Sequence, residues 1–276
     1  MAQSSQSALM VDIHTHIIPG VDDGAQNMDD TIAMCRLAAE DGVGTIVATP
    51  HAYWSREVNG GPVIENGTAA VREALEANAI SVKIVPGCEV PMERNLVAKL
   101  TVDRFWTIDA SSAYLLLEPP WGALPDYLYS LIQEILDQGI TPIIAHPERS
   151  PDLQHKPQIV AKLVAMGSLT QITANSILGR HGPKAREIAW RLLEEGLAHV
   201  VASDSHNSTN RPPRLSEARR EVEEAYGPAL GIRLFEENPQ QIVSGMPVMA
   251  APADSGAADH GRSTGLGGFF KRLRGN

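Results

Sequence analysis

The sequence predicts a mostly parallel α/β fold with a strand count close to that of a barrel. Three observations carry this: short apolar or β-branched runs recur along the chain, segments of helical periodicity separate them, and several of those segments stop at a glycine. Gly139, Gly167 and Gly196 stand where a helix C-terminus needs a residue tolerant of left-handed backbone.

Taken in order, strands are expected at 10–13, 44–48, 82–86, 113–117, 141–145, 169–173 and 200–202, each a short run bounded by polar or turn residues. Helices are expected between them at 28–40, 63–77, 125–138, 156–166, 183–195 and 215–226. The alternation favours one α/β domain over residues 10–248, preceded by an extension at 1–9. From Met249 the chain turns to Ala, Gly, Ser and Pro, too little apolar area to offset chain entropy, so 249–276 is expected to be a flexible tail. Its tip sets Phe269, Phe270 and Leu273 among Lys271, Arg272 and Arg274, a pattern able to touch a membrane surface or a partner.

Hydrophobic residues make up 43% and charged residues 20%, which places the chain among packed globular proteins. A formal charge of −10 argues against nucleic acid as a partner, because backbone binding needs clustered Lys and Arg. Cys35 and Cys88 make neither a disulfide framework nor a thiolate zinc pattern, which fits a reducing cytoplasm. The opening MAQSSQSALM lacks a basic, apolar-cored leader, and no apolar run approaches the roughly 18 residues of a membrane span.

Chemistry gathers at the strand ends. His14 and His16 follow the first predicted strand, His51 the second, Glu89 the third, Glu118 the fourth, His146 the fifth and Asp204 and His206 the last. In parallel barrels the C-terminal strand ends converge on one face, so these imidazoles and carboxylates are expected to meet. Alternation along a strand puts residues i and i+2 on one side, which lets an H-x-H or D-x-H pair grip one ion. A nitrogen and oxygen shell without thiolate suits manganese, iron or zinc. His155, His181, His199 and His260 fall in helices, loops or the tail and are given no role.

The series DIHTHIIPGVDDGA, ATPH, PGCEV, LLLE, AHPER and SDSHN, in this order, resembles the PHP (polymerase and histidinol phosphatase) superfamily, and closely its bacterial protein-tyrosine phosphatases of capsule and exopolysaccharide systems. The resemblance spans about residues 10–247. It implies a distorted (β/α)7 TIM-like barrel holding three divalent ions, with manganese the first expectation. It assigns one ion to His14, His16, Glu89 and Asp204, a second to Glu89, Glu118 and His146, and a third to Asp23, His51 and His206. Asp12 is then expected to orient a ligand by hydrogen bonding. The implied substrate is a phosphotyrosine protein such as a bacterial tyrosine autokinase.

Three divalent ions against Asp23, Glu89, Glu118 and Asp204 leave a net positive site, and Arg149 and Arg211 add to it, so a phosphate dianion meets opposite charge. By resemblance these arginines hold the phosphate. The expected reaction is direct hydrolysis, with a water made acidic by the ions attacking in line and no phosphoenzyme. Cys88 to Arg94 also fits the C-x5-R spacing of thiol phosphatases. Pro91 removes a backbone donor there, and Glu89 and Glu93 would repel the anion, so that reading is rejected. Tyr53 and Trp54, with Pro119, Pro120 and Trp121, either form an aromatic slot for a tyrosine ring or cap the fold, and the sequence leaves both open. The alternatives weighed are a histidinol-phosphate-type phosphatase of the same superfamily, a polymerase-associated exonuclease and a non-catalytic, metal-stabilised docking module.

Overall fold

The computed structural model describes residues 9–54 and 57–248, leaving aside the side chain of Trp54. The expected tail at 249–276, its apolar and basic tip, the extension at 1–8 and the Trp54 half of the aromatic slot lie outside the described residues. No described helix is long and apolar enough to cross a membrane.

The strands are β1 (Met10–Thr15), β2 (Val43–Ala48), β3 (Tyr53–Trp54), β4 (Glu57–Val58), β5 (Lys83–Pro86), β6 (Glu89–Pro91), β7 (Tyr114–Glu118), β8 (Thr141–Ala145), β9 (Leu169–Thr173) and β10 (Val200–Ala202). Each predicted strand is present within a residue or two. β3 with β4 forms a small antiparallel ribbon, and Glu89, expected in a loop, opens a strand of its own. The expected helices are also present, over Met28–Glu40, Gly61–Ala77, Leu128–Asp137, Gln158–Ala165, Pro183–Glu194 and Ser216–Tyr226.

The main strands form two parallel sheets, ordered β1-β2-β5 and β10-β9-β8-β7-β6, instead of one closed ladder. They meet at isolated parallel bridges, Thr15 with Ser205 and His51 with Glu89, the first following β10 and the second joining the segment after β2 to the start of β6. At one seam the Asp204 amide donates to the His14 carbonyl at 2.9 Å and the His16 amide to Ser205 at 2.8 Å. At the other, Glu89 donates to Pro50 at 3.0 Å and Ala52 to Glu89 at 2.8 Å. His14, His16 and Asp204 thus sit at one joint and His51 and Glu89 at the other.

Covering both faces of a parallel sheet explains why its strands read as continuous apolar runs. All of β1 is buried, as are Leu115, Leu116 and Leu117 of β7. One apolar cluster packs strands against the helices, with Ile46, Ile84, Leu115 and Ile144 meeting Met34, Val71 and Ile135. A second is drawn from both sheets, including Val11, Ile13, Val47, Val85, Leu116, Ile143 and Ala202, with Ile242 and Val243 beside them.

Candidate metal and phosphate site

His14 and His16 occupy the end of β1, where the register with β2 shifts between Asp12 and Thr15. The Asp12 carboxylate takes the amides of His14 at 3.3 Å and Ser203 at 3.0 Å, tying β1 to the turn after β10, and it orients no ring. The ring partners are residues the sequence reading missed. Gln171 Oε1 lies 2.9 Å from His14 Nδ1, and Asp22 Oδ2 lies 2.8 Å from His16 Nδ1. Each leaves the opposite nitrogen, Nε2, for the cleft. Asp22 also accepts the Gly24 amide at 2.9 Å and the His51 amide at 3.0 Å, so the loop after β1 is wound around one carboxylate. Gly24 is needed there because a Cβ would stand 2.1 Å from the His16 carbonyl oxygen.

The remaining donors come from the other strand ends. Glu118 closes β7, and His146 and Asp204 follow β8 and β10 with left-handed backbone, φ 32° and 52°. Such conformations in non-glycine residues cost on the order of 1 kcal/mol or more and are held by surrounding structure. Arg149 ends a short turn over Pro147–Arg149, and the Arg211 loop is shaped by Asn207, whose Oδ1 accepts the Asn210 amide at 2.7 Å and the Arg211 amide at 3.1 Å.

The sequence-predicted residues converge. His14 Nε2 lies 3.2 Å from Glu89 Oε2, 3.4 Å from Asp204 Oδ1 and 3.2 Å from His16 Nε2. His16 Nε2 is 3.4 Å from the same Glu89 oxygen and 3.5 Å from the same Asp204 oxygen. Donors bound tetrahedrally at about 2.0–2.1 Å stand about 3.3–3.4 Å apart, which is the spacing of both rings to each carboxylate; His14, His16 and Asp204 could hold one ion, with Glu89 closing on the same two rings. Glu89 Oε1 approaches His146 Nε2 at 3.0 Å, while His51 Nδ1 lies 3.2 Å from Glu89 Oε2 and 3.7 Å from Glu118 Oε2. Asp23 Oδ1 stands 3.3 Å from His206 Nε2 and 3.6 Å from His51 Nε2, and His16 completes that group. The expected second and third groups are therefore knitted together: His51 faces Glu118 with one nitrogen and Asp23 with the other.

Charge is distributed as a cation cage demands. Burial alone would raise the Glu89 carboxyl, yet His14, His146 and His16 hold it well below the usual carboxylate range. Asp204 is likewise held far down despite burial, first by His14 and also by both arginines. His16 is held well above the ordinary imidazole range, burial being overcome by Asp22, Asp204 and Glu89. Glu118 is pushed up to about 8 by burial and by Glu89.

The cleft is lined by Asp23, Glu118, His146, Asp204 and their neighbours, with Arg149 and Arg211 at its side. Both guanidiniums reach Asp204 Oδ2, Arg211 at 2.6 Å. His181, given no role from sequence, is near this site: burial and then the positive charge of Arg149 lower it to about 4. The thiol decoy fails geometrically. Cys88 is buried, its Sγ donates to the Pro50 carbonyl at 3.0 Å, and burial holds the thiol well above its usual pKa. Arg94 points elsewhere, to exposed Asp126 at 3.1 Å.

Comparison with known proteins places this geometry. The family model for capsular polysaccharide synthesis, CpsB/CapC, matches residues 10–244. The tyrosine-protein phosphatase YwqE of Bacillus subtilis is 35% identical over 234 residues, which is 82% of this chain and 89% of that protein. The tyrosine-protein phosphatase CpsB of Streptococcus pneumoniae is 32% identical over 239 residues, 85% of this chain and 98% of that one. A crystal structure from the work on these two proteins, reported as unique metal-dependent tyrosine phosphatases, superposes with a TM-score of 0.84 at 31% identity, covering 88% of this chain and 98% of its own.

Proposed function

Because the chain belongs to the CpsB/CapC family of capsular polysaccharide synthesis, we propose that its cleft hydrolyses protein phosphotyrosine, acting in the cytoplasm on a tyrosine autokinase that controls capsule or exopolysaccharide assembly. The observation that carries this reading is the convergence of the His14 and His16 rings on Glu89 and Asp204 at 3.2–3.5 Å, with two arginines on the Asp204 carboxylate. A thiol mechanism is disfavoured by the buried, protonated Cys88.

Three divalent ions, manganese before iron or zinc, would be held by His14, His16, Glu89 and Asp204, by Glu89 with His146 and Glu118, and by Asp23 with His51 and His206. When bound, they supply Lewis acidity toward phosphoryl oxygens and a water acidic enough to attack near neutral pH. The chain's own contribution is placement and charge. Glu89 spans two groups because a carboxylate offers two oxygens where a ring nitrogen offers one lone pair. Asp22 and Gln171 fix the ring orientation of His16 and His14, so that Nε2 of each faces the cleft, where it would hold an ion. Arg149 and Arg211 trade the Asp204 oxygen for phosphoryl oxygens, to which a planar guanidinium presents paired donors. A phenolate leaving group, with a pKa of about 10, needs little help from a proton donor. We further infer that the two sheets are arcs of a distorted (β/α)7 barrel, a reading supported by their shared apolar cluster and by the bridges at both seams.

The test is metal analysis coupled to turnover of a phosphotyrosine peptide before and after chelation. Turnover that vanishes with the metal and returns on reloading is expected. Unchanged activity in stripped protein would remove the proposal, a preference for histidinol phosphate would move it to the small-molecule phosphatases, and metal binding without any hydrolysis would favour a docking role.

A further inference from the structure

Trp121 stands at the cleft wall with 59% of its surface exposed. A large ring left in water costs free energy, and here the exposure adjoins the groups that handle phosphate. The indole stacks on His146, centroids 6.1 Å apart and planes 21° from parallel. The Arg149 guanidinium carbon lies 5.1 Å from the indole centroid. These contacts set the ring's attitude while its exposure leaves much of it open to a further partner.

The other aromatic candidate is already engaged. Tyr53 packs edge-on to Trp106 at 5.7 Å and 74°, and its hydroxyl accepts a hydrogen bond from Lys99, whose ammonium lies 4.5 Å from the ring centroid. Lys99 is in turn fixed by Glu93 at 2.6 Å. Tyr53 therefore caps the fold, and among the described side chains Trp121 is left as the open aromatic surface beside the arginines.

We propose that Trp121 is the platform on which a substrate's aromatic ring stacks, so that it sets the preference for aryl over alkyl phosphate monoesters. The inference rests on the phosphatase reading above. An aryl ring is joined to phosphorus through one oxygen, so a phosphoryl group held by Arg149 brings the ring within reach of an indole that itself contacts Arg149. An alkyl phosphate offers no π face to that surface. Aromatic pairs contribute enough beyond simple burial to change affinity by about two- to tenfold.

Binding and turnover separate the two claims. Calorimetry on metal-loaded wild type, Trp121→Ala and Trp121→Phe would measure phenylphosphonate and methylphosphonate, alongside hydrolysis of a phosphotyrosine peptide. The phenyl-to-methyl affinity ratio is expected to fall about two- to tenfold in Trp121→Ala and to be largely kept in Trp121→Phe. A parallel loss for both phosphonates would overturn the proposal, since it would mean that Trp121 only props Arg149; so would an unchanged ratio. A wild type with the expected ratio that hydrolyses no phosphotyrosine peptide would leave the platform standing and remove the phosphatase reading.

Discussion

Glu89 is the carboxylate of the cleft that meets four imidazoles, within 3.0–3.4 Å of His14, His16, His51 and His146. Glu89→Gln keeps its volume and removes the charge that faces these rings. The expected result is loss of bound metal together with a fall in turnover of more than about 100-fold, beyond the 10- to 100-fold typical of groups that only orient a ligand. Gln171→Ala, which frees the His14 ring, belongs to that milder class; equal losses in the two variants, read by metal content and kcat, would contradict the distinction. Cys88→Ser retains a donor for the Pro50 carbonyl and is expected to keep near-wild-type turnover. An inactive Cys88→Ser protein with normal metal content would reinstate the thiol. Glu118 supplies a pH dependence. With its carboxyl raised to about 8, it carries a proton at pH 7 in the cation-free cage, and metal uptake must expel it. Apparent metal affinity should therefore climb as pH rises from 7 to 8, with proton release visible as a dependence of binding heat on buffer ionisation. Identical heats in every buffer would count against Glu118 as a ligand.

At the scale of strands and helices, patterns that repeat were legible and patterns set by tertiary contact were not. The helix over Met28–Glu40 and strands β8, β9 and β10 have the expected bounds because apolar periodicity and flanking polar residues mark both ends. β6 is only three residues long and owes its strand to pairing with β7, which no local propensity announces. Strand-end position foretold the convergence of His14, Glu89, His146 and Asp204. It could not foretell Asp22 or Gln171: Asp22 has the same local signal as Asp23, and Gln171 meets His14 from β9, 157 residues away. The one weak sign was a polar Gln inside an otherwise buried strand. Asp12, expected to orient a ligand, instead takes the backbone amides of His14 and Ser203. A similar backbone link joins β9 to β10. His199 donates its amide to Thr170 at 3.1 Å, and its Nδ1 accepts the Thr170 amide at 3.2 Å, which requires an unprotonated nitrogen. Burial lowers this imidazole to about 4. The unfolded chain, titrating near 6.5, then binds the proton first, so this contribution to stability is complete above pH 6.5 and lost as pH falls toward 4. It amounts to at most about 3 kcal/mol. Urea unfolding across that range should show a shallower acid loss in His199→Gln than in wild type, and parallel curves would refute the assignment.

For the whole molecule, the donors belong to both sheets. His14, His16 and His51 come from β1 and the segment after β2, whereas Glu89, Glu118, His146 and Asp204 come from β6, β7 and the turns after β8 and β10. The ladders joining those sheets are only isolated bridges, so cations held between them would act as staples across each seam. Without cations, the carboxylates are balanced by imidazoles that must take up protons, His14 and His16 both being raised above their ordinary range. Ligands that bind only the folded chain stabilise it by mass action, about 2.7 kcal/mol when present at 100 times their dissociation constant. For a domain of this size that corresponds to several degrees in Tm. Metal loading should therefore raise Tm in a concentration-dependent way, chelation should reverse it, and Glu89→Gln should abolish most of the response while folding on its own. The decisive comparison is calorimetric unfolding of wild type and Glu89→Gln over a manganese titration. If wild type gains activity with no movement in Tm, the ions do not bridge the sheets, and the seams must be held by the backbone bridges and the apolar cluster alone.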